Sequence, residues 1–85
     1  MSDLKAQFDQ ALLDVQKLPK KPDTATMLSL YALFKQASSG DCTGKRPGFT
    51  DPVGQAKFDA WFKLNGISKD KAMQDYISVV ESQSR

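Results

Sequence analysis

An all-α fold, four helices forming a single domain over residues 1–85, is what this chain predicts. Three observations lead there. Apolar residues recur at spacings of three and four in four separate stretches, the periodicity of a helix with one buried face. Proline and glycine clusters separate those stretches. Nothing in the chain reads as a strand, and it contains no internal repeat or low-complexity segment.

Ser2 or Asp3 is placed to cap the first helix, whose apolar face comprises Leu4, Phe8, Ala11, Leu12 and Val15. Pro19 and Pro22 end it and stiffen the link. Asp23 or Thr24 starts a second helix, in which Met27, Leu28, Leu30, Tyr31, Leu33, Phe34 and Ala37 cover more than one stripe. Gly40 is a natural stop. The segment from Gly40 to Thr50 holds three glycines and a proline and reads as a long loop. Asp51 followed by Pro52 marks a helix N-terminus. This third helix carries Ala56, Phe58, Ala60, Trp61, Phe62 and Leu64, and Asn65-Gly66 closes it. Ser68 caps a fourth, with Ala72, Met73, Tyr76, Ile77 and Val80 at helical spacing.

The links between the first two and the last two helices are short, which favours antiparallel neighbours. The central loop is long enough to carry the chain back across the bundle, so the middle pair can run parallel. An up-down-down-up arrangement fits these lengths without being required by them.

Composition narrows the function classes. Apolar residues make up 40% of the chain and charged residues 26%, a globular balance. No apolar run approaches the roughly 20 residues that cross a bilayer, and the N-terminus lacks the pattern of a secretory signal, so the cytosol is the expected compartment. With 12 basic and 10 acidic side chains mixed along the sequence, nucleic acid is not an expected partner. The local cluster Lys17, Lys20 and Lys21 reads as a solvated interhelical link.

Histidine is absent, which removes the commonest general base, the usual nucleophile pairs and the usual zinc ligand sets. Cys42 has no CxxC partner; it is a redox thiol or an incidental loop residue, and the second reading is preferred. The run from Gly40 to Arg46 superficially resembles a phosphate-binding loop. It is one residue too short for that motif and follows a helix where a strand is needed. Asp9 and Asp14 lie roughly 140° apart around a helix and do not form a carboxylate pair. No catalytic residue and no metal site is expected.

Two features point toward a ligand. Tyr31 and Lys35 lie one turn apart, placing an aromatic plane and a cation on one helix face, with Lys57 and Tyr76 available to converge there. A base can stack on the ring while an ammonium meets a phosphate. Equally, tyrosine rings often finish a small core with the hydroxyl in water. The apolar breadth of the second helix means either that it is central or that it lines a groove.

At these residues the sequence resembles the acyl-CoA-binding protein family over nearly its full length, from about Leu4 to Glu81. The resemblance is carried by Phe8 to Val15; Lys21-Pro22; Met27-Leu28; Tyr31 with Phe34, Lys35, Gln36 and Ala37; Gly40-Asp41; Arg46, Pro47 and Gly48; Lys57 to Trp61; Ser68-Lys69; Ala72-Met73; and Tyr76-Ile77. The tyrosine-x-x-aromatic-Lys-Gln-Ala string, followed by Arg-Pro-Gly and Lys-aromatic-x-Ala-Trp, is the specific part.

The resemblance implies an up-down-down-up four-helix bundle that carries medium- to long-chain fatty acyl-CoA and catalyses nothing. It implies that Tyr31 stacks on adenine, that Lys35 and Lys57 meet the 3′-phosphate region, and that Tyr76 closes the head-group site beside Phe34. It also implies that Ala11 and Met27 lie near the acyl chain and pantetheine. No cofactor is implied beyond this ligand. The expected state is a cytoplasmic monomer that buffers and transports the acyl-CoA pool, with at most transient contacts to membranes or acyl-CoA-using enzymes. Four positions depart from the family pattern: Phe34 replaces a frequent tyrosine, Phe58 a frequent tryptophan, and Gln16 and Val53 frequent lysines. Rival classes are a helical module whose groove receives a peptide and a thioester hydrolase or transferase.

Overall fold

The computed structural model describes residues 3–84, which form four helices joined by turns and loops, with no strand among the described residues. They are α1 (Leu4–Asp14), α2 (Thr24–Ser39), α3 (Pro52–Phe62) and α4 (Lys69–Gln83). Local chemistry sets most of the boundaries. The Asp23, Asp51 and Ser68 side chains accept the amide N–H of Thr26, Gly54 and Lys71, capping α2, α3 and α4. Pro52 stands at the start of α3, where its missing N–H is harmless. Gly40 ends α2 at φ 87°, a conformation that side chains with a Cβ rarely adopt.

α1 begins and ends differently from expectation. Asp3 occupies its N-cap without a side-chain capping bond, and Ser2 lies outside the described residues. The helix tightens into a 3₁₀ turn at Val15–Lys17 before Leu18 becomes extended. The ring of Pro19 excludes the helical conformation from the residue before it, which accounts for that stop. α3 likewise closes slightly early, at Phe62, and Leu64 joins the turn leading to Gly66.

Side-chain landmarks fix the topology. Lys57 reaches over Tyr31 and Lys35 over Trp61, so α2 and α3 run parallel. Gln36, near the end of α2, donates to the Ile67 carbonyl just before α4, making those two helices antiparallel. The Phe8 ring lies between those of Phe34 and Tyr76, at 6.5 and 5.3 Å. Val15 and Met27 line one groove further along, so α1 opposes α2 and runs with α4. The chain is an up-down-down-up bundle.

The interfaces do not follow sequence adjacency. α2 packs most heavily on α4 and then on α3, while α1 packs mainly on α4. The short links predict α1 against α2 and α3 against α4 as neighbours, yet the Leu18–Asp23 segment, extended at Leu18 and Asp23 and bent at Pro19 and Lys20, lets α1 and α2 diverge. The core is built from Phe8, Ala11, Leu30, Leu33, Ala37, Ala72, Tyr76 and Val80. The Cα atoms span 39 × 31 × 15 Å with a radius of gyration of 13.2 Å, wider than the about 12 Å of a compact chain this long. The molecule is a flattened bundle with a gap.

Candidate functional site

That gap is a groove of about 500 Å³, bounded by the end of α1, the proline-containing link, α2 and α4. Met27, Leu30, Tyr31 and Phe34 supply its α2 wall, Tyr76 its α4 side, and Val15 and Leu18 its α1 side. These residues recur every three to four positions along α2, so one helix face presents them together. Below them Phe8 supports the aromatic floor, packing edge-on against Tyr76 and stacked with Phe34. Tyr76 is buried, and that burial pushes its phenol pKa above the ordinary value, keeping the neutral hydroxyl.

Cations ring this apolar floor. Lys20 and Lys21 line the groove from the proline-containing link, beside Gln16. The Lys57 ammonium stands 5.2 Å from the centre of the Tyr31 ring, and Lys35 stands 5.0 Å from that of Trp61. Each ammonium rests on an aromatic face, and among the described residues no carboxylate holds either one in an ion pair. An apolar trough edged by lysines suits a molecule with a greasy part and an anionic part.

Of the residues singled out from the sequence, Met27, Tyr31, Phe34 and Tyr76 meet in this groove, and Lys57 adjoins it through Tyr31. Lys35 is one step removed, over Trp61. Ala11 is not brought there. It is 3% exposed in the core and borders a smaller groove of about 220 Å³ between α1 and α4. Helical periodicity put Ala11 on the buried face of α1, but the groove forms beyond that face, where the helix departs from α2. Sequence reasoning overlooked Lys20 and Lys21 as lining residues. Their adjacency to Pro22 and Met27 was the available signal.

A third depression, about 430 Å³, lies on the opposite face of α2. Leu28, Ala32, Leu33, Ala56, Ala60 and Leu64 line it between α2 and α3. The apolar breadth of α2 therefore has both explanations offered for it: the helix is central and it walls a groove on each side.

Much of the motif surrounding Lys35 is structural. Gln36 is completely buried, and its amide donates to Asp41 Oδ1 and the Ile67 carbonyl, both at 2.8 Å, while its Oε1 accepts from Trp61 Nε1 at 3.1 Å. Trp61 Nε1 also reaches the Gly40 carbonyl at 2.8 Å. Asp41 accepts the Gly66 amide, which together with the Gln36 bond holds its carboxyl below the usual range. Asn65 clasps the Cys42 backbone through both its N–H and its carbonyl. The Cys42 thiol is buried and its pKa is raised by that burial, so the reactive thiolate is disfavoured. Further along the loop, Arg46 makes a two-point contact with Asp59 at 2.8 Å, and Gln55 donates to the Pro47 carbonyl at 3.0 Å. Gln36, Asp41, Arg46 and Trp61 thus lock the long loop and the ends of α2 and α3 so that Tyr31, Lys35 and Lys57 share one register.

Comparison with known proteins gives concordant results. The family described as Acyl CoA binding protein matches residues 5–80. Over 80 residues the chain is 52% identical to an acyl-CoA-binding protein homolog of Manduca sexta, spanning 93% of this chain and 89% of that one. The crystal structure of Oryza sativa acyl-CoA-binding protein 2 superposes with a TM-score of 0.89 at 36% identity, covering 94% of this chain and 87% of that chain. That of the Moniliophthora perniciosa protein gives 0.85 at 42% identity, covering 99% and 84%.

Proposed function

Since this chain belongs to the acyl-CoA-binding protein family, we propose that it is a non-catalytic carrier of medium- to long-chain fatty acyl-CoA esters, serving as a cytoplasmic monomer. The observation that carries the reading is the groove itself: an apolar, aromatic-floored trough of about 500 Å³ edged by Lys20 and Lys21 and adjoined by Lys57. Free acyl-CoA has an anionic head and an apolar tail, and it enters membranes or micelles unless one surface satisfies both. Lysines answer the head and the trough answers the tail.

In this reading the adenine stacks on Tyr31. The phosphate region of the nucleotide meets Lys57 and Lys35, and the 5.2 Å between Lys57 Nζ and the Tyr31 ring is short enough for one nucleotide to engage both. Lys20 and Lys21 extend the cationic rim toward the rest of the head group. The buried, neutral Tyr76 hydroxyl closes the site from α4. Met27, Phe34 and Leu30 shield the start of the chain. Turnover is not part of this function: the sequence holds no histidine, and its one thiol is buried with a raised pKa.

A calorimetric series over free coenzyme A, short, medium and long acyl-CoAs, and palmitate tests the proposal. Each buried methylene is worth about 0.8 kcal/mol, close to fourfold in affinity. Affinity should climb with chain length and then level off when the trough is full. Affinity that is flat with length, or palmitate binding as tightly as its coenzyme A ester, defeats a two-ended carrier.

A further inference from the structure

The two lysine–aromatic contacts between α2 and α3 form a crossed pattern. Tyr31 and Lys35 are one turn apart on α2, and Lys57 and Trp61 are one turn apart on α3. Each lysine crosses to the ring of the other helix, Lys57 to Tyr31 at 5.2 Å and Lys35 to Trp61 at 5.0 Å from the ring centre. Because the helices run parallel, the four side chains make two rungs. The rungs are alike in geometry and differ in what holds them.

The Trp61 rung is pinned. Its indole Nε1 donates to Gln36 Oε1 at 3.1 Å and to the Gly40 carbonyl at 2.8 Å, which fixes the plane of the ring. Gln36 is held in turn by Asp41 and the Ile67 carbonyl, and it has no exposed surface. Lys35 is itself partly buried, whereas Lys57 is exposed. In the carrier reading the Tyr31 ring takes the adenine, so Lys57 shares its platform with the ligand. Trp61 is not among the residues that line the groove, so its face remains with Lys35 when the ligand is bound.

We propose that Trp61 is a positioning residue, its fixed indole face holding the Lys35 ammonium where the nucleotide phosphate arrives. The inference rests on the carrier reading and deepens it. A lysine that is free in solvent loses rotamer freedom when it grips a phosphate, which lowers affinity about two- to tenfold. A lysine already laid on an aromatic face has lost part of that freedom during folding. Trp61 therefore acts on the ligand through Lys35 alone.

The test is calorimetric titration of Trp61→Phe and Trp61→Leu with octanoyl-CoA. Both substitutions deprive Gln36 Oε1 and the Gly40 carbonyl of the indole N–H, so both lower the melting temperature. Only phenylalanine keeps a face for the ammonium. Trp61→Leu should bind about two- to tenfold more weakly than the parent, and Trp61→Phe should keep most of the affinity. The loss caused by Trp61→Leu should vanish in a Lys35→Ala background and persist in a Lys57→Ala background, a pattern that general loosening of the bundle does not produce. Equal affinities of the two Trp61 variants, or a Trp61→Leu loss undiminished by Lys35→Ala, overturn the proposal. A measurement on the parent needs no variant to fold. The ring current of Trp61, the one tryptophan of the chain, should shift the ε-methylene protons of Lys35 upfield in NMR spectra, both free and with octanoyl-CoA bound. Unshifted protons in the complex overturn the proposal as well. A parent that binds no octanoyl-CoA defeats the carrier reading and this inference together, whereas binding without coupling between Trp61 and Lys35 defeats the positioning role alone.

Discussion

Replacing Gln36 by leucine removes a polar side chain that is 0% exposed and makes three hydrogen bonds. Two of its partners keep another contact: Trp61 Nε1 retains the Gly40 carbonyl, and Asp41 Oδ1 retains the Gly66 amide. Their losses cost about 0.5 to 1.5 kcal/mol each. The Ile67 carbonyl loses the amide that reaches it across 31 residues, and an acceptor stranded in a partly buried position costs about 1 to 3 kcal/mol. The leucine's own burial returns roughly 1 kcal/mol. The net expectation is a destabilisation of about 3 kcal/mol, or a fall in melting temperature of about 12 to 24 °C for a chain this small. Differential scanning calorimetry measures it, and urea unfolding with an unchanged m-value shows that the folded state is otherwise intact. A fall of less than about 4 °C, the equivalent of one kcal/mol or less, would refute the claim that Gln36 holds three helix ends together.

Three further outcomes are expected. Lys57→Ala and Lys35→Ala should each weaken acyl-CoA binding about tenfold or more, as loss of a charge-assisted contact of roughly 1.5 to 3 kcal/mol requires. Their melting temperatures should shift by only a few degrees, because an exposed cation–π contact is worth about 0.5 to 1 kcal/mol; calorimetric affinities set beside thermal melts would expose the opposite pattern. Tyr31→Phe should keep most of the affinity that Tyr31→Ala loses, since base stacking needs the ring and is worth about 1 to 3 kcal/mol; equal losses in folded variants would assign the contact to the hydroxyl. Asp41 has its pKa lowered, first by the Gly66 amide and then by Gln36, so its ionised form favours folding. That stability is present above the unfolded value of about 3.9 and is lost as pH falls through the lower folded value. Asp41→Asn should therefore melt lower near neutrality and show a shallower loss in acid, read from melting temperature against pH.

Local chemistry made the helix ends legible. Asp51-Pro52, Ser68 and Gly40 each act through neighbours a few residues away, so their roles follow from short strings. The same holds for the shared face of Met27, Tyr31 and Phe34, which one helix presents by its own period. What the sequence concealed depends on how helices meet. Nothing local says that α1 leaves α2 after Val15, so Lys20 and Lys21 looked like an ordinary solvated link, although both line the groove opened there. Ala11 shows the converse: its spacing marks it as inward-facing without saying toward which partner, and its surroundings are α1 and α4. Gln36 was visible only as part of a recognised string. A glutamine with no exposed surface is intelligible once Asp41, Trp61 and Ile67 are seen around it.

The polar clasp built on Gln36, Asp41, Cys42, Trp61, Asn65 and Gly66 gathers at the end of the bundle where α2 finishes and α4 begins. Met27 and the lysine-edged trough lie toward the other end of α2. Cooperative units need not share one stability, and segments with fewer cross-links open at lower free energy. Amide hydrogens of residues 33–37 should thus exchange by rare, nearly global unfolding, while those near the start of α2 exchange through frequent local opening. A ligand can then enter and leave by fluctuations at one pole while the other stays shut, so binding need not wait for the whole bundle to breathe.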